Sequence, residues 1–269
     1  MNKFIIRAIS GLIYAAIIVV CILQGTEGVI FLSGILGLLA TLEFAKIFNG
    51  FSIKHTPALM MDIAGVLSLC LGVFGFTIII WILSLLLRMI EELYIKSDDP
   101  IGNLARSMMS QLYIGVPLGC MSAIAVLTGK PMILLAIFLF IWINDTGAFI
   151  VGSLLGKHRL FERISPKKSW EGFWGGIFFN LIAAVVFARC LYGFFGLSDN
   201  IGLWLGLALT VTVFGTWGDL VESMIKRNLH IKDSGKFIPG HGGILDRIDS
   251  LLFAAPASLI YLFAYYAVF

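Results

Sequence analysis

Nine apolar runs, each close to twenty residues long, follow one another along this chain and constrain its fold more than any other feature. They cover about 4–24, 28–48, 57–75, 76–94, 108–128, 131–153, 172–195, 200–222 and 248–268. A helix of roughly 20 apolar residues spans the hydrocarbon core of a bilayer. In lipid its backbone polar groups must be satisfied within the segment itself. Composition agrees: 59% of the 269 residues are hydrophobic and 13% are charged. Soluble domains carry about a quarter charged residues, so most of this surface must face something other than water. The expected fold class is all-α, a polytopic integral membrane protein of about nine transmembrane helices.

Most runs are separated by turn or charge signals such as "QGTEG", "NGFSIKHT", "TGKP" and "GLSDN". The weakest separator is "LGVFGFT" (71–77), which offers no charge to hold a loop in water. The first run follows Lys3 and Arg7 as a signal peptide would, but it lacks a small-x-small cleavage site and further spans follow. It is read as a retained first helix. Cys21, Cys70, Cys120 and Cys190 lie far apart in apolar runs without CxxC spacing and read as small buried residues, not as a disulfide framework.

The basic residues set the orientation. With nine spans, the N-terminus and the segments after spans two, four, six and eight share one side. With their flanks they carry seventeen of the nineteen Lys and Arg, leaving Lys130 and Arg189 towards the other. The positive-inside rule then places the N-terminus in the cytoplasm and the C-terminus outside. The chain divides into residues 1–107, holding spans one to four, and a catalytic region 108–269, with cytoplasmic loops 154–171 and 223–247.

Acidic residues in spans cost about 2.5–3.5 kcal/mol each on insertion scales, so each requires a reason. Asp145, next to Asn144 in "FIWINDTGAF", lies towards the inner end of span six. Asp219 and Glu222 lie at the inner end of span eight, and Asp246 and Asp249 open span nine. Three separate stretches thus bring carboxylates to one depth. Asp246 and Asp249 share a helix face, as do Asp219, Glu222, Ser223 and Lys226. An oxygen-rich set of a few carboxylates plus substrate phosphates suits Mg²⁺, and paired His or Cys ligands for zinc are missing. The alternative is plain ion pairing with Lys226, Arg227 and Arg247.

Basic loops complete the pattern. In "SPKKS", Ser165 reads as an N-cap and Pro166 as the first helical residue. Lys167, Lys168 and Ser169 would then face phosphate oxygens at a helix start, or attract anionic headgroups. The loop 235–243 contributes four glycines, Pro239 and His241; glycines let backbone N–H groups approach a phosphate closely. Cations and backbone amides around phosphate are the equipment of phosphoryl or nucleotidyl transfer. "GSLLGKH" (152–158) fails as a phosphate loop because its spacing is one residue short and His follows the Lys. Glu43 has Lys46 three residues on and reads as a local pair at the membrane edge. Asp62 stands alone in span three with no role assigned. His55, His158 and His230 read as interfacial, and His241 is left open.

"SMIKRNLHIKDSGKFIPGHGGILDRID" (223–249) resembles the signature of the phosphatidate cytidylyltransferases, the CDP-diacylglycerol synthases. The matching residues are Ser223, Lys226, Arg227, Lys232, Asp233, Pro239, Gly240, His241, Gly242, Gly243, Asp246, Arg247 and Asp249. "NDTGAF" and "SPKKSWEG" also look like segments of that family, with Phe149 where tyrosine is common. The resemblance implies that CTP and phosphatidic acid give CDP-diacylglycerol and diphosphate at the cytoplasmic face of the inner membrane. It implies catalytic roles for Asp219, Lys226, Arg227, Asp246 and Asp249, with Mg²⁺, and room for a second cation, held by Asp219, Asp246 and Asp249. Substrate contacts would come from Asn144, Asp145, Lys167, Lys168, Ser169, Ser223, Lys232, Asp233, His241, Gly242, Gly243 and Arg247. A homodimer is implied and no nucleic acid partner is expected. Competing readings are a CTP-dependent lipid kinase of the dolichol or phytol type, a cytidylyltransferase for another lipid phosphate, and, from another class, a transporter.

Overall fold

The computed structural model describes residues 3–49, 56–72, 75–235, 237, 240 and 242–268. Lys54, His55, Lys236, Pro239, His241 and the centre of the 71–77 turn therefore lie outside the described residues. The chain forms two compact units, Met1–Leu127 with Asp233–Arg247, and Thr128–Lys232 with Ile248–Phe269.

The first unit is built from α1 (Lys3–Leu23), α2 (Thr26–Asn49), α3 (Thr56–Leu71), α4 (Phe76–Glu92) and α5 (Pro100–Ser110). α5 runs through a π turn (Gln111–Gly115) into α6 (Val116–Thr128). Gly25 turns the chain between α1 and α2 at φ +87°, and Gly75 precedes α4 at φ +73°, conformations that favour a residue without Cβ. Sequence reading starts the fifth span at 108, but the helix begins at Pro100. Asp99 caps it by accepting the Gly102 N–H at 2.9 Å, with proline at the first position. Polar side chains bind the apolar helices together: the Ser33 and Ser122 hydroxyls lie 2.6 Å apart, and both reach the Cys70 carbonyl.

The second unit holds α7 (Met132–Leu155), β1 (Arg159–Phe161), β2 (Ser165–Ser169) and α8 (Trp170–Val186). α8 continues through a π turn (Phe187–Leu191) into α9 (Tyr192–Phe195), and α10 (Ile201–Asn228) follows. The part of α11 (Leu245–Val268) from Ile248 onward belongs here too. Phe140, Phe187, Phe195 and Trp204 form a buried aromatic cluster. Glycines let α10 and α11 approach, since a Cβ on Gly218 would stand 2.6 Å from the Asp249 carbonyl.

Among the described residues, each of the nine apolar runs contains a helix. Among the described residues, six helical stretches are long and apolar enough to cross a membrane: Thr26–Phe48, Pro100–Thr128, Met132–Leu155, Trp170–Phe195, Ile201–Asn228 and Leu245–Ala267. Ala8–Leu23 and Thr56–Leu71 are apolar but shorter, and α4 carries Arg88, Glu91 and Glu92. The protein is an all-α multi-pass membrane protein with one small sheet among the described residues.

That sheet corrects the helix start expected at Ser165 and Pro166. Ser165–Ser169 is a strand paired antiparallel with Arg159–Phe161, and the helix begins at Trp170. Ser169 is the cap, accepting the Gly172 N–H at 3.1 Å. All four cysteines are free thiols, as their spacing implies, but only Cys70 is buried and Cys190 is exposed. Cys190 sits on the π turn of a helix most of whose apolar surface faces outward.

Candidate active site

The second unit contains a cavity of about 610 Å³, and its walls come from three separated stretches. Asn144 and Asp145 line it from α7, Lys167, Lys168 and Ser169 from β2, and Asp219 from α10, joined by Arg159 and Thr216. Six residues singled out from sequence therefore share one cavity. Small residues open it: Gly152 on α7 lies against Gly172 on α8, and Gly176 leaves room for the Asn144 amide. Asn144 is 5% exposed and donates through Nδ2 to Thr216 Oγ1 at 3.5 Å. Its buried Oδ1 meets no donor among the described residues. A buried acceptor in that condition costs about 1–3 kcal/mol, so a polar ligand group would be favoured there.

Charge gathers on the α10 side. Lys168 Nζ sits 2.6 Å from Asp219 Oδ2, and Ser223 donates to Asp219 Oδ1 at 3.3 Å. One turn on, Lys226 Nζ pairs with the buried Glu222 at 2.5 Å. Half-buried Asp249 on α11 lies within electrostatic reach of Asp219, Glu222 and Asp145. Arg227 Nε and Nη1 donate to the Ile164 and Ile231 carbonyls, fastening the end of α10 to the hairpin. Lys232 is exposed just beyond. Glu171 in the first turn of α8 receives the Lys157 and His158 N–H groups and the His158 ring at 2.6 Å, which accounts for His158 structurally.

In the first unit, Asp246 Oδ2 accepts the Ser234 N–H at 2.9 Å and the Gly243 N–H at 2.8 Å. Gly242, at φ +86°, packs on the same carboxylate. Asp233 and Arg247 are exposed. Glu43 corrects its sequence reading. Instead of pairing locally with Lys46, it accepts the Ser234 hydroxyl, the Ile244 N–H at 2.8 Å and the Leu245 N–H at 3.2 Å. A helix leaves its first N–H groups without internal partners, and Glu43 supplies them to α11 from α2. Gly243 packs directly against it. Sequence reading missed this role although the signal was present: a carboxylate inside an apolar run needs donors, and one exposed lysine cannot supply them all.

Oxygen donors suit a hard divalent cation. Among the described residues no three His, Cys, Asp or Glu side chains gather closely enough to hold a metal by themselves. Mg²⁺ does not require such a cage, since one or two carboxylates plus substrate phosphates and water serve it. Asp219 and Asp249 fit that arrangement, and the Lys168 ammonium already marks Asp219 as a place for positive charge.

Fold and cavity together define a multi-pass membrane protein with a carboxylate- and lysine-lined cavity suited to phosphate and a cation. A sequence model of the cytidylyltransferase family matches residues 5–265, and the chain belongs to that family. It is 44% identical over 151 residues to the phosphatidate cytidylyltransferase of Staphylococcus haemolyticus. It is also 44% identical over 149 residues to those of Staphylococcus aureus and Staphylococcus epidermidis. Each match covers 55% of this chain and 55% of the relative, so the similarity spans about half the length of those proteins.

Proposed function

We propose that this protein is a phosphatidate cytidylyltransferase of the bacterial inner membrane, converting CTP and phosphatidic acid to CDP-diacylglycerol and diphosphate. The observation that carries the reading is the cavity shared by Asn144, Asp145, Lys167, Lys168, Ser169 and Asp219. The names of the matched relatives support it. The proposal keeps nine crossings, a cytoplasmic N-terminus, an outer C-terminus and a cytoplasmic active site, supported by the distribution of Lys and Arg. Region 108–269 carries the chemistry, and the working form is a homodimer.

The lipid phosphate attacks the α-phosphorus of CTP in line, and diphosphate leaves. A phosphate monoester is already ionised near neutrality, so no general base is required. Bound Mg²⁺ would supply charge neutralisation for the nucleotide phosphates and the leaving group. Asp219 and Asp249 would hold it; Asp246 shares a helix face with Asp249 and its Oδ2 already accepts the Ser234 and Gly243 N–H groups. Lys167 and Lys168 receive phosphate oxygens in the cavity, and Lys226, Arg227 and Lys232 offset charge along the end of α10 and beyond. Asn144, Asp145, Ser169 and Ser223 orient the substrates, while Asp233, His241, Gly242 and Gly243 offer substrate contacts from the sequence before α11 and Arg247 from its first turn.

The test uses purified full-length protein in detergent with Mg²⁺, phosphatidic acid and CTP. Label on the α-phosphate of CTP is expected in CDP-lipid. Transfer of γ-label to a free lipid alcohol, without α-label in lipid, would instead identify a CTP-dependent kinase and overturn the proposal. Asp246→Asn, which retains one oxygen acceptor for the loop, should lose turnover while keeping a monodisperse elution profile. Wild-type turnover in that variant removes Asp246 from the catalytic set.

A further inference from the structure

The contact between Lys168 and Asp219 bears on how the site loads. Asp219 Oδ2 lies 2.6 Å from the Lys168 ammonium, and the two side chains remain 29% and 27% exposed on the cavity. At that distance one ammonium N–H takes one of the two lone pairs of the carboxylate oxygen. Asp219 Oδ1 is not a clear second seat, because it takes the Ser223 hydroxyl at 3.3 Å. A Mg²⁺ ion binds oxygen at about 2.0–2.1 Å, and on the other lone pair of Oδ2 it would stand only about 4 Å from the ammonium nitrogen. Repulsion between the two cations therefore puts the ammonium and the metal ion in competition for Asp219.

Resting on the proposed role of Asp219 as a cation ligand, we infer that Lys168 is a built-in counter-cation. Its ammonium holds the divalent-cation seat before loading and passes to a substrate phosphate oxygen when the cation arrives. Lysine suits this exchange because its charge is a compact point on a flexible four-carbon stem. The strand that carries it is anchored at both ends of the hairpin register, and the following Ser169 caps α8, so the stem moves while the backbone stays. Lys226 is not equivalent, since it pairs with Glu222 one turn away on its own helix. Lys167 lines the same cavity without an ion pair to Asp219. The exchange keeps Asp219 neutralised in both states. It also makes cation and phosphate binding mutually reinforcing, because each releases the group that the other requires.

Mn²⁺ binding to the detergent-solubilised full chain, followed by electron paramagnetic resonance without nucleotide, tests the exchange. Asp219→Asn should weaken Mn²⁺ binding by about tenfold or more. Lys168→Met should tighten it roughly three- to tenfold, the size of a half-exposed ion pair. Lys167→Met removes the same charge from the same cavity and should change it less than about twofold. Equal tightening in both lysine variants would reduce the effect to general electrostatics and overturn the inference, as would no tightening in Lys168→Met. Wild-type Mn²⁺ affinity in Asp219→Asn would instead sink the underlying ligand assignment. With Mn²⁺ saturating, inorganic diphosphate should bind about tenfold more weakly to Lys168→Met than to wild type. Unchanged diphosphate affinity there would refute the transfer of the ammonium to phosphate.

Discussion

The two compact units use charge in opposite ways. In the first, Arg88 and Glu92 pair at 2.7 Å with side chains only 4% and 3% exposed. Arg88 Nε donates to Ser107, whose hydroxyl donates to Asp62, and Asn103 donates to Glu92. Arg106 continues the chain to Asn103 and Asp99. In the second unit, Lys168 and Asp219 form an equally close pair, but it opens onto a cavity. The sealed Arg88–Glu92 pair is met by protein groups, because removing charges from water costs several kcal/mol per ion, while Arg106 and Asp99 carry the network out to the surface. An open pair keeps partners that can be exchanged. Asp62, without a role in sequence, belongs to the sealed kind. In so apolar a chain, the presence of a charge says that it needs a partner; exposure to a cavity says whether that partner can be a ligand.

Removing one member of each arrangement should separate the two uses. The largest effect is expected for Arg88→Met, which strands Glu92 in the interior and should destabilise by about 3–5 kcal/mol. Thermal unfolding in detergent measures this, and substrate KM of the folded fraction should stay near wild type. A raised KM with unchanged stability would assign the sealed network to the site. Glu43→Ala comes next, since it withdraws acceptors from three donors around the start of α11 and should cost about 1–3 kcal/mol. Hydrogen exchange should accelerate at Ile244 and Leu245; unaltered protection there would mean that other groups cap the helix. The smallest is Ser169→Ala, which loses the cap of α8 for about 1 kcal/mol. It should lower the unfolding temperature slightly. CTP affinity should fall with it, since the same hydroxyl lines the cavity; unchanged CTP affinity would leave Ser169 a cap alone.

Much of the fold is legible in the sequence because a helix in lipid is a local property: its hydrogen bonds and apolar surface lie within one run of residues. The same holds for candidates such as Asn144 and Asp219, whose polarity in an apolar context marks them individually, and for Lys168, marked by the basic loop that carries it. The hairpin is not legible in that way. Ser165 and Pro166 form a good local helix-start signal, yet the strand Arg159–Phe161 pairs with that segment and moves the cap to Ser169. Glu43 was misread for a related reason. Lys46 is three residues away in sequence, whereas Ser234, Ile244 and Leu245 are about two hundred away and close only in the fold.

By itself the sequence determined a multi-pass helical membrane protein, the loops in which charge collects, and a short list of residues able to hold phosphate and a cation. Tertiary structure decided which of them face one cavity, that Asp219 rests against Lys168, and that Asp246 spends an oxygen on backbone N–H groups. Those outcomes depend on which donor comes within 3 Å of which acceptor, a distance set by helix packing and not by spacing along the chain.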